Sequence, residues 1–162
     1  MELGRITAVT ITSPDLDRVV DIYSKYLKYR LVSSTRVSAD QAKSWDAQSI
    51  ENSEMIYMSP ESSDDFFFRF VEQSSDDDYV PFGTFGWNAA ELIVKDVDES
   101  AEKLIGSPFE VIGQPADLSF TDQIRAMQIL GPSKEIIYLT QFKSKLDDFD
   151  SPTPRCDIDQ TF

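Results

Sequence analysis

The sequence predicts an α+β protein made of two tandem βαβββ modules. An acidic stretch at residues 15–17 (Asp-Leu-Asp) follows a strand-like segment, and a matching stretch at residues 96–98 (Asp-Val-Asp) does the same 81 positions later. Each stretch opens a helical apolar pattern, which three further strand-like segments follow. Such a repeat indicates two copies of one supersecondary unit, so both halves of the chain are expected to share one topology.

The first module opens with a strand and a helix. Residues 6–12 alternate between apolar and β-branched polar side chains, which is typical of a half-buried strand. Ser13 is expected to cap the following helix, with Pro14 at its first position. The helix should bury one apolar stripe, which consists of Leu16, Val19, Val20, Tyr23 and Leu27.

Three more strands complete the first module, with a short helical segment among them. One or two helical turns are expected at residues 39–48, which contain Trp45. The three strands are predicted at residues 31–37, 54–58 and 66–72.

The second module repeats this order. Its first strand is predicted at residues 87–94, and Asp96 is expected to cap a helix in a capping box with Glu99. The buried side of this helix is predicted to consist of Val97, Ala101, Leu104 and Ile105, with Gly106 closing the helix. The remaining strands are predicted at residues 109–112, 124–130 and 135–142.

The two modules are expected at residues 1–73 and 84–143. Residues 74–83 contain an Asp run, Pro81 and Gly83 and should form the linker between them. Residues 144–162 are predicted to be an acidic, proline-containing tail or linker.

Matching places in the modules are not separated by a constant distance. Arg69 and Tyr138 take matching places in the two fourth strands and lie 69 positions apart, whereas the helix starts lie 81 positions apart. The first module therefore carries 12 extra residues after its helix, and residues 39–53 are their expected place.

The charge of the chain limits its partners. The 162 residues carry a net charge of −14, from 29 acidic and 15 basic side chains. Phosphate groups are bound by clustered Lys and Arg, so neither nucleic acid nor an anionic membrane is an expected partner. The charge predicts a solvated acidic surface, and the alternative interpretation is that it attracts a cationic ligand.

Two residue types limit the chemistry and the compartment. The sequence has no histidine, which excludes Ser-His-Asp and Cys-His nucleophiles and imidazole metal sites. Cys156 is the single cysteine, so no disulfide forms within the chain. Because no segment resembles a signal peptide or a run of ~20 apolar residues, the cytoplasm is the expected location.

The repeated βαβββ order, with an acidic triplet at each helix start, resembles the vicinal oxygen chelate superfamily. That superfamily includes glyoxalase I, the bleomycin-resistance proteins and the extradiol dioxygenases. The resemblance covers residues 4–143 and implies a curved mixed sheet around one cavity.

Further phrases resemble a bacterial subgroup of longer, four-module proteins. If the chain is of this kind, it corresponds to their N-terminal half and the approach to a third module. The phrases lie at residues 68–72, 84–89, 106–109 and 117–128.

The resemblance also implies where a metal would be held. The metal enzymes of the superfamily place one ligand in the first and one in the fourth strand of each module, which correspond here to Ala8, Arg69, Ala89 and Tyr138. Alanine has no donor atom, and Arg is a permanent cation that repels a metal ion. The chain therefore resembles the metal-free branch typified by the bleomycin-resistance proteins, and no cofactor is expected.

Strand alternation identifies the side chains that should face the cavity. This set is mainly apolar and aromatic with few polar groups, as small-molecule sites are. Structural alternatives remain for most members: an ion pair between the two charged residues, and core packing for Trp87 and Tyr138. The candidate ligand-binding residues are Phe67, Arg69, Trp87, Glu91 and Tyr138.

Three functions remain open at this stage. The first is metal-independent binding of a hydrophobic, aromatic or cationic small molecule. The second is a metal-independent isomerase or lyase, in which Glu91 is the catalytic base and Arg69 or Tyr138 stabilises an enolate. The third is the structural half of a larger assembly, for which a homodimer is one arrangement.

Overall fold

A computed structural model gives the arrangement of most of the chain. No helix in this part of the protein is long and apolar enough to cross a membrane. The structure describes residues 6–62, 66–74, 78–83, 85–144 and, for the backbone alone, 158–161.

Two compact units make up the chain, residues 1–79 and residues 80–162. The division falls within residues 74–83, the segment predicted as a linker. Each unit is a βαβββ module with its own mixed sheet, and the predicted α+β class and repeated topology are confirmed.

In the sheet of the first module, the first strand lies next to the fourth, followed by the third and then the second. The first and fourth strands run parallel, and the other neighbours are antiparallel. Its elements are β1 (Ala8–Ser13), α1 (Leu16–Leu27), β2 (Tyr29–Arg36), α2 (Ala39–Ser44), a 3-10 turn (Gln48–Ile50), β3 (Glu54–Pro60) and β4 (Phe67–Glu72).

The second module repeats this strand order, again with its first and fourth strands parallel. A further strand, Ile158–Thr161, pairs antiparallel with the free edge of this module's first strand. This strand lies within residues 144–162, the segment predicted as an acidic, proline-containing tail or linker. The elements are β5 (Ala89–Val94), α3 (Val97–Lys103), β6 (Glu110–Leu118), β7 (Thr121–Leu130), β8 (Ile136–Phe142) and β9 (Ile158–Thr161).

The strand register repeats between the modules. Thr10 lies opposite Arg69 across β1 and β4, and Glu91 lies opposite Tyr138 across β5 and β8. Thr10 and Glu91 are 81 positions apart, while Arg69 and Tyr138 are 69 apart, so the two pairs are structural equivalents. The repeat deduced from the sequence is therefore present residue by residue in the sheets.

The 12 extra residues of the first module lie in two places. Tyr57 pairs with Arg69 and Gln128 with Tyr138, and these third-strand positions lie 71 apart. Ten of the extra residues therefore precede the third strand, where the predicted region holds α2 and the 3-10 turn. The other two lie in the connection between the third and fourth strands, which corrects the prediction that all 12 precede it.

The main helix of each module, α1 or α3, begins at an aspartate N-cap. The backbone amide of Arg18 donates to the Asp15 carboxylate at 2.9 Å, and that of Glu99 donates to Asp96 at 2.9 Å. The predicted Asp96 cap is confirmed, but the predicted capping box does not form, because the Glu99 side chain pairs with Lys103 at 3.0 Å. The prediction that Ser13 caps α1 is wrong, because Ser13 ends β1 and the helix begins only after Asp15. The Asp15 carboxylate also interacts favourably with the positive end of the helix dipole.

An aromatic cluster forms the core of the first module. Tyr23 has 0% exposure and packs edge-on against Tyr29, Phe68 and Phe70, at ring-centroid distances of 5.8, 5.7 and 5.0 Å. Such pairs contribute about 0.5–1.5 kcal/mol each beyond area burial. The predicted stripe of α1 is largely confirmed, since Leu16, Val19, Tyr23 and Leu27 are buried and Val20 is half-buried.

The helix of the second module buries fewer side chains than predicted. Val97 and Leu104 are buried, but Ile105 is 81% exposed. The helix ends at Lys103, so Ile105 does not continue the helical stripe. Gly106 follows with a φ of 73°, in the left-handed region that glycine tolerates, and the chain turns there.

Candidate ligand-binding cleft

The second module carries a cleft of about 770 Å³. Its lining comes from β5, β6, β7 and β8 and from the segment before β5. Trp87, Glu91 and Tyr138 line this cleft, so the structure brings together three of the five predicted ligand-binding residues. The rest of the lining is mainly apolar, with five polar side chains: Gln114, Asp117, Ser119, Gln128 and Thr140.

Strand pairing explains why these side chains share one surface. Glu91 is the cross-strand partner of Tyr138, and Tyr138 is in turn the partner of Gln128 on β7. Partners in adjacent strands project to the same face of a sheet. Gly113 brings β6 close to this row, because a Cβ there would meet the Gln128 side chain at 2.9 Å. Sequence alternation predicted the row, but it did not predict the contribution of β6.

Glu91 is the polar group whose placement matters most. The Thr140 hydroxyl donates to Glu91 Oε1 at 2.6 Å, which is a short, charge-assisted bond. Thr140 is buried, whereas Glu91 is half-buried and reaches the cleft. Among the described residues, Glu91 has no cationic partner and Oε2 accepts no hydrogen bond. Within the described part of the chain, Thr140 thus holds one carboxylate oxygen of Glu91, and the other accepts no hydrogen bond.

Asp117 also lines the cleft, but its charge is already paired. Lys143 Nζ donates to Asp117 at 2.6 Å, and Arg125 Nη1 lies 3.3 Å from the same oxygen. The hydrogen bond from Lys143 is the main reason that the pKa of Asp117 is lowered. Arg125 also donates twice to Asp98, at 2.8 Å each, which lowers the pKa of Asp98 and raises that of Arg125.

Trp87 lies at the rim rather than in a strand. It was predicted to begin the first strand of the module, but β5 begins only at Ala89 and Trp87 is 96% exposed. Gly86 adopts a φ of 137°, and its carbonyl accepts a hydrogen bond from the Asn88 side chain at 2.9 Å. The chain therefore turns before the strand, and the core-packing alternative for Trp87 is wrong.

The remaining candidates, Phe67 and Arg69, lie on β4 of the first module. Arg69 Nε and Nη2 donate to Thr10 Oγ1 at 2.8 and 2.5 Å, and its guanidinium lies 4.3 Å from the Trp45 ring centroid. Phe67 meets Tyr57 edge-on at 5.9 Å. Arg69 and Glu91 thus each have a hydroxyl partner within their own module.

An insertion explains why the equivalent face of the first module is partly filled. The α2 segment and the 3-10 turn that follows it pack onto β3 and β4, with Trp45 and Tyr57 half-buried at the edge of this cluster. The second module has no such segment between its second and third strands, and its sheet face carries the cleft. The buried members of the cluster are Val37, Ala42, Ile50, Met55 and Val71.

Solved structures share this architecture, although no family model and no curated protein matches the sequence. A glyoxalase family protein from Bacillus cereus matches with a TM-score of 0.67, over 89% of this chain and 97% of that chain, at 17% identity. The chain has the vicinal oxygen chelate fold. At this identity the likeness establishes the fold alone.

Two more solved structures of this fold are matched over different shares of their own chains. The fosfomycin resistance protein FosX from Listeria monocytogenes matches with a TM-score of 0.57 at 13% identity, over 91% of this chain and 97% of that chain. Glyoxalase I from Zea mays matches with a TM-score of 0.62 at 16% identity, over 87% of this chain but only 46% of that chain. The described fold thus corresponds to about half of the maize chain.

The four positions that the resemblance assigns to metal ligands carry residues that do not suit a metal ion. Ala8 and Ala89 offer no donor atom, Arg69 is a cation, and Tyr138 has only a phenol. In the described residues, no three His, Cys, Asp or Glu side chains are grouped as metal ligands. Glu91 follows Ala89 by two positions on the same strand, but its cross-strand partner is Tyr138 rather than another acidic residue. This set of donors does not fit a divalent cation.

Proposed function

We propose that the chain is a metal-independent binding protein whose second module holds a planar, hydrophobic small molecule, with a preference for aromatic cations. One observation carries this proposal. The cleft combines a mainly apolar lining with two carboxylates, of which Asp117 is paired with cations and Glu91 has no cationic partner among the described residues. A positive group on a ligand supplies that partner.

The size and walls of the cleft support a ligand of this kind. A volume of about 770 Å³ lies within the range of about 300–1,000 Å³ found for small-molecule sites. Trp87 is 96% exposed, and a ring stacked against it removes apolar surface from water. Tyr138 supplies a second ring with a hydroxyl that donates to a ligand acceptor. The net charge of −14 raises the local concentration of cations.

Three probes with one ring system test this proposal by calorimetry. Naphthalene-2-carboxamidinium is a cation, naphthalene-2-carboxamide is neutral, and naphthalene-2-carboxylate is an anion. We expect the second module to bind the amidinium more tightly than the amide, with no change on adding EDTA. Replacing Trp87 with Ala should weaken both, whereas Ile105→Ala, which removes an exposed apolar side chain outside the cleft, should weaken neither. Equal affinity for cation and amide, or binding only after a divalent metal is added, would contradict the proposal.

A second function is favoured by the open oxygen of Glu91. In this alternative Glu91, with one oxygen held by Thr140, accepts a proton from the substrate, and Tyr138 on the neighbouring strand donates to the enolate oxygen. The chain would then be a metal-independent isomerase or lyase. Deuterium exchange at the α-carbon of 2-tetralone, followed by NMR, tests this step. Exchange that the wild type accelerates and Glu91→Gln does not would support catalysis, whereas equal exchange with both proteins would exclude it for this ketone.

A further inference from the structure

Arg69 lies in the first module at the place that Tyr138 takes in the cleft of the second. The two are equivalent by register, and so are their cross-strand partners, Thr10 and Glu91. One module therefore presents a cation on this sheet face, and the other presents an anion. The repeat has kept its backbone register while the charge of the face has changed.

The guanidinium of Arg69 is held in place by its neighbours. It lies 4.3 Å from the ring centroid of Trp45 and 6.0 Å from that of Tyr57, within the range of cation–π contacts. Nε and Nη2 both donate to the single oxygen Thr10 Oγ1. Tyr57 is in turn fixed edge-on against Phe67. These contacts fix the plane of the guanidinium on the sheet face.

This fixed cation lacks an anionic partner in the described part of the chain. An arginine has five N–H donors, and only two of those on Arg69 have acceptors there. Other arginines do have carboxylate partners, since Arg125 contacts two carboxylates and Arg36 contacts one. A half-buried cation whose donors are not all satisfied favours an external anion.

We propose that Arg69 binds the carboxylate of a planar small molecule in the first module. The unused donors on Nη1 and Nη2 form a fork that suits two carboxylate oxygens. Trp45, Tyr57 and Phe67 provide aromatic surface beside the fork for the body of the ligand. This site lies in the other module from the cleft and selects the opposite charge, so the two proposals succeed or fail separately.

The two tryptophans of the chain allow each module to be observed by itself. Protein labelled with 5-fluorotryptophan should give one fluorine NMR signal from Trp45 and one from Trp87, assigned with a Trp87→Phe variant. We expect naphthalene-2-carboxylate to move the Trp45 signal and naphthalene-2-carboxamide to leave it in place. Inorganic phosphate is the third probe. A carboxylate that moves only the Trp87 signal, or phosphate that moves Trp45 as readily as the aromatic carboxylate, would overturn the assignment.

Variants of Arg69 test whether its fork is responsible. Arg69→Met should abolish the carboxylate-induced movement of the Trp45 signal, and Arg69→Lys should weaken it by about 10-fold or more, because lysine keeps the charge but loses the planar fork. Arg18→Gln removes an exposed arginine of α1 and should change nothing. Unchanged carboxylate binding in either Arg69 variant would overturn the proposal. If Arg69→Met fails to fold, Arg69→Lys still decides.

Discussion

Replacing Glu91 with Gln separates charge recognition from ring binding in the second-module cleft. The change removes the charge but keeps the shape of the side chain, and the glutamine carbonyl still accepts from Thr140. Hydrogen bonds to charged groups contribute about 1.5–3 kcal/mol and neutral ones about 0.5–1.5 kcal/mol. The amidinium probe should therefore lose about 1–2 kcal/mol of binding free energy, or about 5- to 30-fold in affinity.

The neutral amide probe gives the internal comparison. The amide carries no positive charge and therefore has no charge attraction to Glu91 that the substitution could remove. Its affinity should change by less than about 2-fold. Glu110→Gln is the matched control, because it removes an exposed carboxylate from β6 of the same module, outside the cleft lining. Calorimetric titrations at two salt concentrations measure all combinations. An equal loss for the amide and the amidinium, or an equal loss in Glu110→Gln, would refute the reasoning that Glu91 acts as the local counter-ion.

Two further predictions concern stability. Tyr23→Ala should lower the free energy of unfolding by about 3–5 kcal/mol in urea titrations, because it empties the centre of the aromatic cluster, and a loss below about 1 kcal/mol would contradict the packing described. Asp98 and Asp117 have lowered pKa values, so the stability they contribute is present above the ordinary carboxyl pKa of about 3.9 and is lost as the pH falls through their lower folded values. Arg125→Gln should flatten this acid-side loss of stability, and an unchanged pH profile would exclude the ion cluster as its source.

The sequence predicts the internal repeat and the sheet face that carries Glu91 and Tyr138, because both follow from local periodicity. The 81-residue spacing of the helix starts and the 69-residue spacing of Arg69 and Tyr138 identify the correct cross-strand equivalents. Strand alternation then places Glu91 and Tyr138 on one surface. Such patterns are repeated within each module, so they survive errors of a few residues in the strand ends.

Features that depend on tertiary pairing could not be predicted in this way. The sequence around Gly113 and Pro115 indicates a loop, yet β6 continues to Leu118, because irregularities in its register with β7 accommodate both residues. This extension brings Asp117 opposite Arg125, and their ion cluster went unpredicted.

The alternating pattern also did not predict where β5 starts or which residues contact Arg69. The alternating pattern extends the strand back to Trp87, but the turn at Gly86 leaves that ring at the rim. The stacking of Arg69 on Trp45 depends on how the α2 segment packs, for which the sequence carries no periodic signal.

A crystal structure of the chain with naphthalene-2-carboxamidinium bound tests the proposed cleft most directly. We expect the ring to lie in the second module against Trp87 and Tyr138, with the amidinium donating to the open oxygen of Glu91. The Thr140–Glu91 hydrogen bond should remain in place, and no metal ion should be needed at saturation. A ring bound outside the cleft, or an amidinium that points to solvent while Glu91 keeps Thr140 as its sole partner, would contradict the proposed binding function.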